Sequence, residues 1–192
     1  MELDSFYISK YQVTQEVWEA VMGKNPSYFK GCARCPVETV SWNDTQLFLK
    51  KLNEMTGKNF RLPTEAEWEY VARGGQKSKG YKYAGSNNID EVAWYRENSN
   101  AKTNEVGLKK ANEVGIYDMS GNVWEWCEDW YDRVFYENAV KNNPINKKQN
   151  IYRVLRGGGW NHNVAYCRVA FRIGDSLKFS NSGVGFRLAS SL

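Results

Sequence analysis

The chain has 192 residues and a formal charge of +4. That length suits a single domain spanning residues 1–192, and no stretch approaches the roughly 20 apolar residues that a membrane-spanning helix needs. The basic residues come in pairs such as Lys109-Lys110 and Lys147-Lys148, not in blocks. That pattern reads as a solvated surface and argues against a nucleic-acid partner.

Chain order then suggests the elements. Phe6, Ile8, Tyr11 and Val13 form a first strand and bend. Thr14 caps a helix with Val17, Trp18, Val21 and Met22 inward, ending at Gly23. Ser41 or Asn43 caps a second helix, with Leu47, Phe48, Leu52 and Met55 inward and Gly57 as its stop. Thr64 and Glu67 have the spacing of a capping box, in which each side chain satisfies a backbone N–H of the first turn. Trp68, Val71 and Ala72 face the core of that third helix, which ends at Gly74-Gly75. Gly80 to Lys148 reads as loops with short irregular strands. Within it, Val123 to Cys127 alternates as a half-buried strand does. Tyr152–Leu155 and Gly185–Ala189 are expected to be the two main strands of an antiparallel sheet. Helices come early and irregular β structure later, which predicts an α+β domain with few helices, small antiparallel sheets and many long loops.

Four cysteines are present: Cys32, Cys35, Cys127 and Cys167. A zinc ribbon would need a second close pair, and a thioredoxin-like motif should open a helix, whereas Pro36 and a strand-like run follow Cys35. A loop-stapling Cys32–Cys35 disulfide is favoured over two free thiols. Cys127 and Cys167 sit among aromatics, as small buried hydrophobes do. The chain opens directly into a strand-like pattern, without a secretory leader. A trimmed chain is therefore expected, which leaves room for membrane anchoring through a missing N-terminal segment.

Several segments together resemble the formylglycine-generating-enzyme (sulfatase-modifying factor) family. They are Tyr11–Thr14, Pro36–Glu38 with Val40–Trp42, Arg61–Tyr70, Tyr117–Trp126, Arg156–Trp160 and Gly185–Arg187, in order across nearly the whole chain. The resemblance implies a C-type-lectin-like fold. Family enzymes oxidise a substrate cysteine to formylglycine with two copper(I)-binding thiolates five residues apart. Here the second falls on Cys167 and the first on His162, which removes the two-thiolate site. No catalytic residue is assigned. The family's calcium motif maps to Asp118, Gly121, Val123 and Glu125, with carboxylate and carbonyl oxygens suited to Ca²⁺. Calcium is the one cofactor to test, and none is required.

The stretch from Arg156 to Arg187 resembles the variable region of proteins diversified by retroelements, in which Asn (AAC-type) codons are mutagenised. Asn161, His162, Asn163, Tyr166, Phe171, Ile173, Gly174, Asp175, Ser176, Phe179, Ser180, Asn181, Ser182 and Val184 are all residues that such codons encode; Lys178 breaks the run. The ligand-binding set expected is Asn161, His162, Asn163, Tyr166, Phe171, Ile173, Asp175, Ser176, Phe179 and Asn181. Gly157 to Gly159, Trp160, Cys167, Ala170, Arg172 and Phe186 would hold the frame. Tyr166, Phe171, Ile173 and Phe179 would anchor a ligand, although Phe171 and Phe179 are equally good core residues. The expectation is a non-enzymatic, receptor-like protein outside the cytoplasm, at the cell surface, binding an unidentified protein or surface ligand. The alternatives are a formylglycine-generating-type oxidoreductase, or an accessory domain of that fold with an unvaried pocket.

Overall fold

The computed structural model describes residues 2–192. Strand β1 (Phe6–Ile8) leads into α1 (Gln15–Met22), which starts where the Thr14 side chain accepts a hydrogen bond from Val17 N and stops at left-handed Gly23. Helix α2 (Trp42–Thr56) is capped by Ser41, and the reciprocal partner is Asp44. The predicted box at Thr64 and Glu67 opens α3 (Glu65–Ala72). Such caps contribute about 1 kcal/mol each. Short β2 (Phe60–Arg61) lies between α2 and α3, and α4 (Ile89–Val92) is one turn inside the long irregular region.

The remaining strands are β3 (Trp124–Trp130), β4 (Tyr152–Arg156), β5 (Arg172–Ser176), β6 (Val184–Gly185) and β7 (Ala189–Ser191). They form two sheets. One is antiparallel, in the order β1-β7-β2; the other runs β5-β4-β3-β6, with β6 parallel to β3. The expected pairing of Tyr152–Leu155 with Gly185–Ala189 is therefore wrong. Gly185 pairs with Glu125, and Ala189 lies in the other sheet opposite Ile8 and Arg61. The chain leaves one sheet for the other across Phe186 and Arg187, both drawn fully into the interior.

The main core joins α1, α2 and the larger sheet. Trp18 stacks on Phe48 at 5.0 Å, and Phe186 meets Phe48 edge-on at 5.3 Å. Three inward assignments fail: Val17, Leu47 and Met55 are exposed, and α2 buries Trp42, Thr45, Phe48 and Leu49 instead. Those four residues follow a 3.6-residue spacing that Leu47 does not share, and Met55 is exposed because it lies in the last turn of the helix. Val123 to Cys127 is buried on both faces, not half-buried, because β3 is an inner strand of its sheet. Cys32 and Cys35 are disulfide-bonded, and Cys127 and Cys167 are free and buried. No helix among the described residues is long and apolar enough to cross a membrane.

Strand β5 forms the edge of the four-stranded sheet. Its midpoint, Gly174, approaches Tyr131 so closely that an added Cβ would lie 2.6 Å from the Tyr131 Cβ and Cγ atoms. Gly174→Ala should therefore cost about 1–3 kcal/mol in urea unfolding, the usual penalty for overpacking.

Candidate ligand-binding face

The segment after β4 starts with two left-handed glycines, Gly157 and Gly158. A Cβ on Gly158 would sit 2.8 Å from the Cys167 sulfur, so the loop can close only over a glycine here. The following turn is clamped from outside. Arg96 N donates to His162 O at 3.0 Å, Arg96 Nε to Asn161 O at 3.1 Å, and Ser99 Oγ to Trp160 O at 2.9 Å. Trp160 Nε1 in turn donates to Ser182 O at 2.8 Å, and Thr39 N to Asn181 O at 2.9 Å. Residues 160–163 and 180–183 are thereby held as neighbours.

On this frame Trp124, 2% exposed, is a buried floor under three predicted positions. His162, Tyr166 and Phe171 lie with ring centroids 5.4, 6.3 and 6.2 Å from it. Tyr166 also meets His162 at 5.1 Å and Phe171 at 4.8 Å. Trp124 Nε1 donates to His162 Nδ1 at 3.3 Å, which leaves the His162 Nε2 edge as the protonated one. Burial, and then the nearby Arg96, hold the His162 imidazole below its ordinary pKa, so it is neutral at pH 7. All three rings are partly buried, as are Ile173 and Phe179, which pack against the same core cluster. These residues thus combine a packed side with an open one. Asn163 caps its own turn through Ala165 N, and Asn181 is exposed, with Oδ1 accepting from Gly183 N.

Not every predicted position joins this face. Side chains alternate along a strand, so Ile173 and Asp175 share one side of β5. Ser176 and Gly174 fall on the other side, with Arg172. Val184 is 1% exposed in the core, so it is not a display position. Phe29, which packs edge-on against Trp160 at 5.2 Å, and the exposed Tyr28 beside it border the face. Sequence reasoning missed both, along with the floor role of Trp124 and the Arg96 clamp. The adjacent aromatics Tyr28 and Phe29 in a loop segment were the one available signal for the first two. The clamp left no signal, because it works through backbone carbonyls.

The far side of β5 is fixed by charge. Arg172 forks onto Glu65 (Nε–Oε1 2.7 Å, NH2–Oε2 2.6 Å). Arg156 adds a 3.0 Å bond to Glu65 Oε1, a contact to Glu69 and a 2.7 Å bond to Val169 O. Glu65 and Arg156 are fully buried.

The model of a sulfatase-modifying factor enzyme 1-like domain matches residues 1–192. The chain belongs to this family. The fold is the α+β, C-type-lectin-like fold of the formylglycine-generating-enzyme type. Within the family, the chain is 38% identical to the chaperone protein LppX of Paenibacillus barcinonensis, covering 95% of this chain and 78% of that protein. It is 35% identical to the formylglycine-generating enzyme of Streptomyces coelicolor over 81% of this chain, and spans only about half (52%) of that enzyme. Among solved structures, Treponema denticola variable protein 1 superposes with a TM-score of 0.94 at 34% identity, covering 99% of this chain and 86% of its own.

The family's two metals can be tested against these residues. Cys167 is buried and its thiol is pushed up to about 12, by burial first and then by Glu97. It contacts Asn163 O, while the His162 nitrogen nearest the core is already bonded to Trp124. Such a protonated thiol with one imidazole does not fit a two-thiolate copper(I) site. At the expected calcium residues the oxygens have protein partners. Asp118 offers its backbone carbonyl inward and turns its carboxylate to Gly107 N, at 2.8 Å. Glu125 is saturated: Arg187 binds both oxygens (2.6 and 2.8 Å), Trp68 Nε1 binds Oε2 (2.7 Å) and Gln12 Nε2 binds Oε1 (3.0 Å). The Gln12 amide nitrogen occupies the space among Asp118, Gly121, Val123 and Glu125.

Two predictions follow from the buried charges. Glu65→Ala strands two arginines and should cost about 3–5 kcal/mol in urea unfolding. Burial lifts the Asp118 carboxyl to about 6, against its hydrogen bond from Gly107 N. Because the folded value is raised, its contribution is full below about pH 4, the unfolded value, and is lost as the pH climbs through about 6. Asp118→Asn keeps the acceptor and removes that loss. Unfolding at about pH 4 and pH 8 should show the variant gaining on the wild type by up to about 3 kcal/mol at the higher pH.

Proposed function

We propose that this chain is a non-enzymatic, receptor-like protein that binds its ligand through the face formed by residues 161–163, 166, 171, 173, 175, 179 and 181. These side chains are diversified by a retroelement acting on Asn-type codons. The carrying observation is the cluster of partly exposed His162, Tyr166 and Phe171 rings, resting on the buried Trp124 and held in a loop clamped largely through its main-chain carbonyls. A frame that grips backbone tolerates different side chains. Aromatic anchors also supply contact area at little entropic cost, as in antibody loops. The likeness to Treponema denticola variable protein 1 supports this reading. In this proposal residues 1–192 act as one domain outside the cytoplasm, at the cell surface, facing a protein or surface ligand.

The identity to formylglycine-generating enzymes favours a second reading, an oxidoreductase acting on a substrate cysteine. The raised Cys167 thiol and the histidine at position 162 weigh against it. An accessory domain with an unvaried pocket is the third reading.

Sequencing beside the gene separates the first reading from the third. A template repeat matching residues 156–187, with a reverse transcriptase, is expected; their absence would leave the face unvaried. Copper(I) titration and a cysteine-peptide oxidation assay address the second. No turnover is expected, and turnover lost in Cys167→Ser would establish the enzyme. In a library, exchanging residues 161, 163, 166, 171 and 181 for other Asn-codon-type residues should keep the protein folded while changing the ligands retained. Trp124→Ser and Arg172→Ser should instead lower the melting temperature.

A further inference from the structure

Four oxygens converge on one buried nitrogen next to the Glu125–Arg187 pair. Gln12 Nε2 lies 3.0 Å from Val123 O, 3.0 Å from Glu125 Oε1, 3.1 Å from Asp118 O and 3.5 Å from Gly121 O. Gln12 is 1% exposed. We propose that the Gln12 amide is a built-in substitute for a divalent cation, so that this node of the fold holds together without metal.

Three observations carry the inference. The first is size. Calcium–oxygen distances run to about 2.3–2.6 Å, whereas every oxygen here stands 3.0 Å or more from the central atom, the spacing of N–H···O bonds. The second is orientation. Among the described residues, Gln12 Oε1 has no donor. Turning the amide over would place that oxygen against four others, so the acceptors themselves select the NH2 group. The third is charge. A dication would balance the Glu125 carboxylate, but Arg187 already does so with a two-pronged contact. Its guanidinium also binds Ser9 O at 3.1 Å and Tyr117 O at 2.9 Å. A second cation beside it would be repelled. The neutral amide supplies the remaining donors without adding charge, and it ties the N-terminal segment to the Asp118–Glu125 turn and the C-terminal Arg187.

Removing the substitute should therefore create a need for the cation. Gln12→Glu places a second carboxylate in the cage, and Gln12→Ala empties it. Melting temperatures of the whole chain are measured in EDTA and in millimolar CaCl2, with calorimetric titration of CaCl2. The wild type should show the same melting temperature in both buffers and no binding heat. Gln12→Glu should melt lower in EDTA and recover by roughly 5–10 °C once calcium is about a hundredfold above its dissociation constant. Gln12→Ala should recover partially. Calcium binding to the wild type that Glu125→Gln abolishes would overturn the proposal. So would a folded Gln12→Glu indifferent to calcium, or failure of both variants to fold in either buffer, because a cation would then not restore what the amide supplies.

Discussion

The buried carboxylate of Glu65 binds α3 to the larger sheet. It receives Arg156 from β4 and both prongs of Arg172 from β5, at 2.6–3.0 Å. Taking three charges out of water costs several kcal/mol per ion, and only complete pairing offsets it. The arrangement is therefore strict about position. Any shift of β5 leaves a charge unpaired in the interior. That strictness serves the edge strand well, because β5 has no second neighbour to fix its register.

With one side of β5 held by charge, the other side is free to differ. Ile173 and Asp175 point the opposite way from Arg172, and Ile173 packs against the core cluster that contains Trp124. The turn carrying Asn161 to Asn163 is held by Arg96, Gly157 and Gly158 through main-chain atoms and tight glycine geometry. Loop shape therefore rests largely on main-chain contacts, to which the Asn163 and Asn181 side chains add local caps. Antibody loops use the same separation of frame and contact. The aromatic residues found here are of the kind that dominates interface energetics.

The scaffold of the family persists while the residues at its two metal segments carry other contacts. The copper segment keeps one buried thiol, held protonated, and gains a neutral imidazole bonded to Trp124. At the calcium segment, the oxygens close on Gln12 and Arg187 instead. The shared fold therefore says little about shared activity, because function resides in the few side chains that line a site.

Much was legible in the sequence by itself. Thr14, Thr64 and Glu67 announced two helix starts, because capping depends on residues three positions apart; the sequence left the third between Ser41 and Asn43, and the fold takes Ser41. The Cys32–Cys35 staple and the family motifs were local too. The aromatic residues that gather on Trp124 were readable as residue types, and the position of His162 where the family has a cysteine was visible too. Other features depended on residues far apart in the chain. Strand β5 escaped notice because Gly174 interrupts its alternation, and its pairing with β4 brings together residues about twenty positions apart. The separation of Gly185 from Ala189 into different sheets follows from Arg187 reaching Glu125. Val184 has a codon-compatible side chain, yet burial removes it from the face. Gln12 looked like one member of a motif, and only folding places its amide where a cation was expected. Local hydrogen bonds are written in neighbouring residues, whereas burial and charge pairing are set by which distant segments the tertiary structure brings into contact.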